Sequence, residues 1–346
     1  MAEERIDIGL IGLGRMGSIY VRHLATHIPE ARLAAVVDVR AGIAETIAAQ
    51  YGVDRWYSDH RELLEAEASS LNALVVATST DTHVEIIEDA AQAGIDIFCE
   101  KPVALTLEET DRALEAAHRA GVKLQVGFMR RFDSAYHQAK QKIEAGVIGT
   151  PISFKAIGRD PMCPRVDYAD PQVSGGLLID MGIHDFDLAR WLMESEVTRV
   201  HAEGNLLVCD EIAQVGDIDN AVINLRFASG AIGNVEVSRN AVYGYDIRTE
   251  VLGDEGALMI GGLQQTPLLV LNQGGVTHDA VPYIIERFGD AYLEELKHFV
   301  ACVRDDRTPS VIGEDSRAAL EIGLAAIRSF EERRVVELPI VRGDSQ

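Results

Sequence analysis

Cysteine is scarce in this 346-residue chain, and positive charge is in deficit. The four cysteines, Cys99, Cys163, Cys209 and Cys302, are scattered, form no CxxC pair and suggest no disulfide scaffold. Asp and Glu outnumber Lys and Arg by 55 to 32, for a net charge of −23. That balance argues against a nucleic-acid or anionic-membrane partner, because phosphate binding needs clustered Lys and Arg. No apolar stretch reaches the roughly 18 residues of a membrane span. The opening Met1-Ala2-Glu3-Glu4-Arg5 lacks the basic and apolar regions of a signal peptide. Internal repeats, low-complexity segments and long linkers are also missing. A cytoplasmic protein with reduced thiols is the expectation, and the length suggests two domains.

What the chain does have is a strand that runs into a glycine loop. Ile6-Asp7-Ile8-Gly9-Leu10-Ile11 is followed by Gly12-x-Gly14-x-x-Gly17, and a second apolar run, Leu33 to Val37, ends on Asp38. Gly12 allows a tight turn, Gly14 lets backbone approach a pyrophosphate, and Gly17 lets the next helix pack on the strand. The helix N-terminus offers free N–H groups to phosphates, which places Arg15 and Met16 with Gly12 and Gly14 at a dinucleotide. Asp38 is positioned for the adenosine ribose hydroxyls and would repel a 2′-phosphate, favouring NAD over NADP. Arg40 stands within reach of an adenine or a 2′-phosphate and weakens that preference. A structural βαβ unit with an accidental glycine pattern is the alternative. The strand before the loop, the helical pattern after it (Ile19, Leu24) and the acid at the right distance favour the cofactor.

Strand candidates at 6–11, 33–38, 72–77, 95–98 and 122–126 alternate with helical patterns near 17–27, 41–50, 82–93 and 106–120. This rhythm predicts an α/β fold with a doubly wound parallel sheet. Thr106 and Glu109 form a capping box. A further helix is expected near 134–145. Beyond Gly149-Thr150-Pro151 the pattern changes. Strands near 152–158, 197–208, 219–227, 231–238 and 246–252, with turns at Ala228-Ser229-Gly230 and Gly253-Asp254-Glu255-Gly256, predict a mainly antiparallel sheet. One helix at 177–193 interrupts it, and helices at 284–304 and 314–331 close the chain. Residues 1–126 then form a Rossmann domain and 127–346 an α+β domain for substrate and oligomerisation. Arg342-Gly343-Asp344-Ser345-Gln346 reads as a loose tail.

Two segments carry groups that can move a proton. Lys101, in Phe98-Cys99-Glu100-Lys101-Pro102, follows the fourth of these strands, at the edge where open α/β sheets bind ligands. It can stabilise developing charge on a substrate oxygen, or be a solvated lysine paired with Glu100. Pro102 fixes the turn and admits a cis bond. In the second segment Asp180 and His184 are four apart, so on one helix they share a face. Imidazole can act as general base with the carboxylate orienting it. The other readings are a structural pair among Leu177, Leu188 and Trp191, or a metal site with Asp187, for which no further strong ligand stands nearby. Thr78-Ser79-Thr80-Asp81-Thr82-His83 either lines the cofactor or caps the next helix through Thr80 or Asp81. Arg130-Arg131 and Arg159-Asp160 either contact substrate hydroxyls or are ordinary exposed pairs.

These motifs resemble the glucose–fructose oxidoreductase/inositol dehydrogenase/MocA family over nearly the whole chain. The resemblance rests on GLIGLGRMG, ATSTDTHVE, the EKP tripeptide, GGLLIDMGIHDFD and GDEGAL. Gly127 to Asp133 and Arg159-Asp160-Pro161 look most like the bacterial inositol 2-dehydrogenases. The resemblance implies NAD-dependent oxidation of a cyclic polyol or pyranose by a homotetramer packed through its sheets, with no metal. It implies Lys101, Asp180 and His184 as the catalytic residues, with His184 as base. Thr78, Ser79, Thr80, His83, Glu100 and Lys101 would join the cofactor site. Arg131, Asp160 and Tyr243 would join Lys101, Asp180 and His184 at the substrate, with Tyr243 and Tyr245 helping to choose the hydroxyl. Oxidation of myo- or scyllo-inositol is the default. An aldose 1-dehydrogenase and a non-catalytic NAD-binding sensor are the alternatives.

Overall fold

The computed structural model describes residues 5–340, so the expected tail at Arg342–Gln346 and the opening Met1–Glu4 lie outside the described residues. The chain forms two compact units. One holds the chain up to Met129 together with Asp290–Arg317. The other holds Arg130–Gly289 and the chain from Ala318 onward.

The first unit alternates β1 (Ile6–Ile11), α1 (Arg15–Thr26), β2 (Ala31–Val37), α2 (Ile43–Tyr51), β3 (Arg55–Tyr57), α3 (His60–Glu67), β4 (Ala73–Val76), α4 (His83–Gln92), β5 (Asp96–Cys99), α5 (Leu107–Ala120) and β6 (Leu124–Val126). Its six parallel strands run in the order β3-β2-β1-β4-β5-β6, the doubly wound order. Strands covered on both faces need near-continuous apolar runs, and Leu10, Val36, Val75 and Ile97 are fully buried. β3 and α3 go beyond the sequence expectation. Three residues are too few to display a two-residue period, and α3 is announced only by its N-cap, Asp59, which accepts the Arg61 N–H. At α5 the capping pair forms as expected: Thr106 Oγ1 accepts the Glu109 N–H at 3.2 Å.

Register fixes what stands at the carboxyl edge of this sheet. Ile11 pairs with Val37 and with Val76, and Val76 pairs with Cys99. The residues that follow, Gly12, Asp38, Ala77 and Glu100, therefore emerge in one row.

The second unit begins with α6 (Ser134–Glu144), capped by Asp133, and β7 (Pro151–Arg159). Four helices follow: α7 (Val166–Ala169), α8 (Pro171–Ser174), α9 (Gly176–Asp180) and α10 (Gly182–Met193). Then come β8 (Val197–Asn205), β9 (Asn220–Phe227), β10 (Ile232–Ser238), β11 (Asp246–Gly253) and β12 (Ala257–Ile260), a small β13–β14 ribbon (Val270–Asn272, Gly275–Thr277) and β15 (Val336–Glu337). Two long helices, α11 (Ile284–Arg304) and α12 (Gly313–Glu332), each run from one unit into the other. The main sheet is ordered β12-β11-β7-β10-β9-β8-β15. Only the β7–β10 pairing is parallel among these neighbours. Both expected turns form, joining β9 to β10 and β11 to β12; Gly230 takes φ +91° in the first. Side chains alternate across this sheet. Ala221, Ile223, Val235 and Val237 are buried on the face that receives α10, whereas Val222, Ile232, Leu252 and Met259 are exposed.

Two expectations are corrected. The single helix at 177–193 is two helices, because the regular bonding pattern lapses at Met181, just before Gly182. The cysteines are not all reduced: Cys163 and Cys209 form a disulfide across 46 residues, with Cα atoms 5.7 Å apart, while Cys99 and Cys302 are free and buried. Sequence spacing gave no sign of that pair, because only the fold brings the loop after β7 to the segment after β8.

Candidate active site

At the carboxyl edge of the parallel sheet the glycine loop has the shape that a pyrophosphate requires. Gly12 takes φ +90°, and a Cβ there would stand 2.6 Å from the Ala77 carbonyl oxygen. A Cβ on Gly17 would sit 1.8 Å from the Gly12 carbonyl oxygen, so α1 can approach β1 only with glycine. Gly14 faces open space and serves as N-cap of α1 without a side-chain bond, leaving the N–H groups around Arg15 and Met16 for an anion. These residues fit a dinucleotide.

Asp38 closes the row. Its Oδ2 accepts the Leu13 N–H at 2.8 Å, which ties the acid to the glycine loop. Arg40 donates to it three times, from its backbone N–H at 2.9 Å and from Nε and Nη2 at 2.8 and 2.7 Å. Burial pushes the Asp38 carboxyl up, but these hydrogen bonds outweigh it and hold the group below its ordinary range. Arg40 is thus engaged with the acid rather than extended toward a phosphate.

The segment after β4 is corrected in one respect. Thr80 to Thr82 form a single 3-10 turn, and α4 starts at His83 with Thr82 as its N-cap and no side-chain cap bond, so neither Thr80 nor Asp81 caps it. Thr82 Oγ1 instead bonds the Thr78 hydroxyl and the Ser79 carbonyl, both at 2.8 Å. His83 is 1% exposed, with Nδ1 2.9 Å from the Pro102 carbonyl and Nε2 3.3 Å from that of Thr78. Burial lowers its pKa against the pull of those carbonyls. The buried ring stands between the loop after β4 and the turn after β5. That turn contains the cis Lys101–Pro102 bond. Lys101 is half-buried, and its backbone N–H bonds Glu100 Oε2 at 3.1 Å. Glu100 Oε1 accepts from the Tyr20 hydroxyl at 2.5 Å.

In the second unit, Asp180 ends α9 and His184 lies in the first turn of α10, each 9% exposed. Asp180 Oδ1 accepts from the Tyr168 hydroxyl at 2.7 Å. Its Oδ2 lies 3.6 Å from the guanidinium of Arg239, which is 1% exposed. The same guanidinium stands 3.4 Å from Asp217, which accepts the Leu177 N–H at the start of α9. Burial raises the Asp217 pKa, and the Leu177 N–H and Arg239 oppose the rise. Tyr168, Arg239 and Asp217 escaped the sequence reading, as they come from distant segments without a motif.

The arginine pair 130–131 is not exposed. Arg130 bonds Asp185 at 2.6 Å, and Arg131 reaches both oxygens of Asp187 at 2.9 and 2.5 Å. All four groups are buried, and together they brace α10 on either side of His184. Asp187, which the metal alternative would enlist, is thereby engaged. Among the described residues no group of three or more His, Cys, Asp or Glu is placed to hold a metal ion.

Arg159 points away from α10. Its neighbour Gly158 lies against Asp185, so by strand alternation Arg159 faces the other side. There it bonds Glu236 and, at 2.7 Å, the Tyr243 hydroxyl. Tyr243 donates in turn to Asp246 at 2.7 Å. Asp160 follows the end of β7, its backbone bonded to Ser238 and Ala241. Tyr245 is 5% exposed and packs edge-on against Tyr283 and Phe288.

Comparison with known proteins accounts for both units. Residues 6–128 match the family model for the oxidoreductase family, NAD-binding Rossmann fold. Residues 140–338 match that for the oxidoreductase family, C-terminal alpha/beta domain. The chain is 42% identical over 340 residues to a scyllo-inositol 2-dehydrogenase (NAD(+)) of Bacillus subtilis, covering 98% of each. It is 43% identical over 337 residues to a myo-inositol 2-dehydrogenase of Thermotoga maritima, covering 97% of this chain and 99% of that protein. The crystal structure of scyllo-inositol dehydrogenase from Lactobacillus casei with bound NAD(H) and scyllo-inositol is similar at TM-score 0.91 and 29% identity, covering 96% of this chain and 99% of that one.

Proposed function

The chain belongs to the glucose–fructose oxidoreductase/inositol dehydrogenase/MocA oxidoreductase family, and on that footing we propose that it is an NAD-dependent dehydrogenase that oxidises a ring hydroxyl of myo- or scyllo-inositol to the inosose. Full-length kinship with inositol 2-dehydrogenases supports the substrate class. The observation that carries the chemistry is that Asp180 and His184, both buried, flank the α9–α10 break, with Tyr168 and Arg239 on the carboxylate.

Bound NAD supplies the hydride acceptor, C4 of its nicotinamide. Gly12, Gly14, Arg15 and Met16 would hold the pyrophosphate and Asp38 the ribose, with Thr78, Ser79, Thr80, His83 and Glu100 shaping the remainder of the site. His184 takes the hydroxyl proton, since imidazole titrates near neutral pH. Asp180 orients the ring and favours its charged form. Lys101 donates a hydrogen bond to the reacting oxygen as negative charge develops there. Asp160 contacts a further polyol hydroxyl. Arg131 steadies α10 through Asp187, whereas Tyr243 is engaged with Arg159 and Asp246 on the other face of the sheet.

A homotetramer is part of the same proposal. The sheet face bearing Val222, Ile232, Leu252 and Met259 presents apolar side chains that self-association would cover. Light scattering on the purified protein tests it. Cytoplasmic residence, where NAD is at hand, is a further part of the proposal. No helix among the described residues is long and apolar enough to cross a membrane.

The decisive variant is His184→Ala. With NAD and either inositol the wild type should form NADH, and the variant should lose about 10²–10⁴-fold in kcat while binding NAD as before. Unchanged oxidation by the variant would remove His184 from the mechanism.

A further inference from the structure

The first unit contains two buried carboxyl groups that the reaction does not consume. Glu100 is 9% exposed and Glu295, on α11, is 0% exposed. Both reach the hydroxyl of Tyr20, which lies on α1 and is itself fully buried. The distances are 2.5 Å to Glu100 Oε1 and 2.9 Å to Glu295 Oε1. A phenol has one hydrogen to give. If both carboxyls were ionised, one of them would face the oxygen lone pairs of Tyr20 with nothing between. One carboxyl must therefore carry a proton and donate it to the Tyr20 oxygen, while the hydroxyl donates to the other.

The surroundings decide which. Burial raises the Glu100 carboxyl too, but Glu100 has a second donor, the Lys101 N–H at 3.1 Å, and the positive charges of Lys101 and Arg15 oppose the rise. Glu295 has only Tyr20, and its Oε2 is buried without a hydrogen-bond partner. Burial pushes the Glu295 carboxyl far up, and the charge of Glu100 pushes it further. The titratable and charged groups around the pair are Tyr20 and Arg15 from α1, Cys99 and Lys101 from β5 and its turn, and Tyr292 from α11.

We infer that Glu295 is a carboxylic acid at neutral pH, donating to Tyr20, which donates to Glu100, and that this hydrogen-bonded chain holds a fixed negative charge against the Lys101 turn. Tyr20 and Glu295 are positioning residues. The chain joins the helix behind the glycine loop to the lysine turn through the buried Glu295 of α11. A Cβ on Gly127 would come within 3.3 Å of Glu100 Oε2, so that side is closed as well. The proton assignment stands on the hydrogen-bond count and on the surroundings of the two carboxyls, independently of the reaction. Its consequence for Lys101 rests on the proposed dehydrogenase reading.

Infrared difference spectroscopy of the full-length protein at pH 7 tests the assignment. A protonated-carboxyl carbonyl band should be present in the wild type and lost in Glu295→Gln, whereas loss of carboxylate bands alone would overturn the inference. The kinetic arm uses Glu295→Gln, whose amide can still donate to Tyr20, against Glu295→Leu, which cannot. With NAD and inositol, Gln should retain at least tenfold more kcat than Leu. In Tyr20→Phe the kcat–pH profile should gain an ionisation absent from the wild type, because Glu100 loses one of its two donors. Equal kcat for Gln and Leu, or an unaltered Tyr20→Phe profile, would overturn the positioning role. If the band is present but the wild type oxidises no inositol, the functional reading fails and the proton assignment stands.

Discussion

Removing Arg130 should cost more than any surface pair could, and the cost should depend on pH in a defined direction. Arg130 is 3% exposed and bonds Asp185, which is 0% exposed, at 2.6 Å. Asp185 Oδ2 is buried without a hydrogen-bond partner, and a Cβ on the neighbouring Gly158 would stand 2.9 Å from it. In Arg130→Met the carboxylate loses its only cation. Burial already pushes its pKa up, with Arg130 opposing, so the variant's Asp185 takes a proton on folding. Doing so at pH 7 from an ordinary pKa near 3.9 costs about 4 kcal/mol, at about 1.4 kcal/mol per pH unit. That agrees with the roughly 3–5 kcal/mol typical of broken buried pairs. The melting temperature should fall by about 10 °C, at roughly 2–4 °C per kcal/mol for a unit of this size. The folded pKa is raised above the unfolded one, so stability is lost as pH rises beyond the unfolded value. The penalty should therefore shrink by about 1.4 kcal/mol for each unit of pH lowered from 7 toward 5. Arg130→Met/Asp185→Leu removes both charges and should recover most of the loss. Denaturant and thermal unfolding of the three proteins at pH 5, 6 and 7 measure all of this. A single-variant cost below about 1 kcal/mol, a cost independent of pH, or a double variant as unstable as the single would refute the reasoning.

Asp38→Ala should lower the kcat/KM preference for NAD over NADP by about 10–100-fold, the worth of roughly 1.5–3 kcal/mol of charged hydrogen bonding; steady-state rates with both cofactors check it. Cys163→Ser should lower stability by about 4 kcal/mol on the loop-entropy relation for the 46-residue separation, read by denaturant unfolding with and without reductant. A raised Glu295 pKa means that the folded wild type loses stability as pH climbs above the ordinary carboxyl range, by up to about 1.4 kcal/mol per unit. Glu295→Gln should lack that contribution, so the difference between the two proteins should narrow at low pH.

The features legible in sequence are those set by neighbours along the chain. The glycine loop, Asp38 and the Thr106 cap depend on residues a few places apart. Period-two and apolar patterns gave the long strands, and with them the row at the carboxyl edge. The break at Met181 was invisible, because a helical period continues across a glycine as readily as through it. Arg130 and Arg131 read in sequence either as substrate contacts or as an exposed pair, since nothing local reveals that Asp185 and Asp187 await them in the core. Tyr168, Arg239, Glu295 and the Cys163–Cys209 bond share that character. Each is defined by a partner brought near only by the fold.

The most direct test is kcat/KM with NAD across a panel of inositols and aldohexoses. The account predicts that myo- or scyllo-inositol leads the panel and that an inosose is the product. Strong turnover confined to aldoses, or none on any polyol, would contradict it.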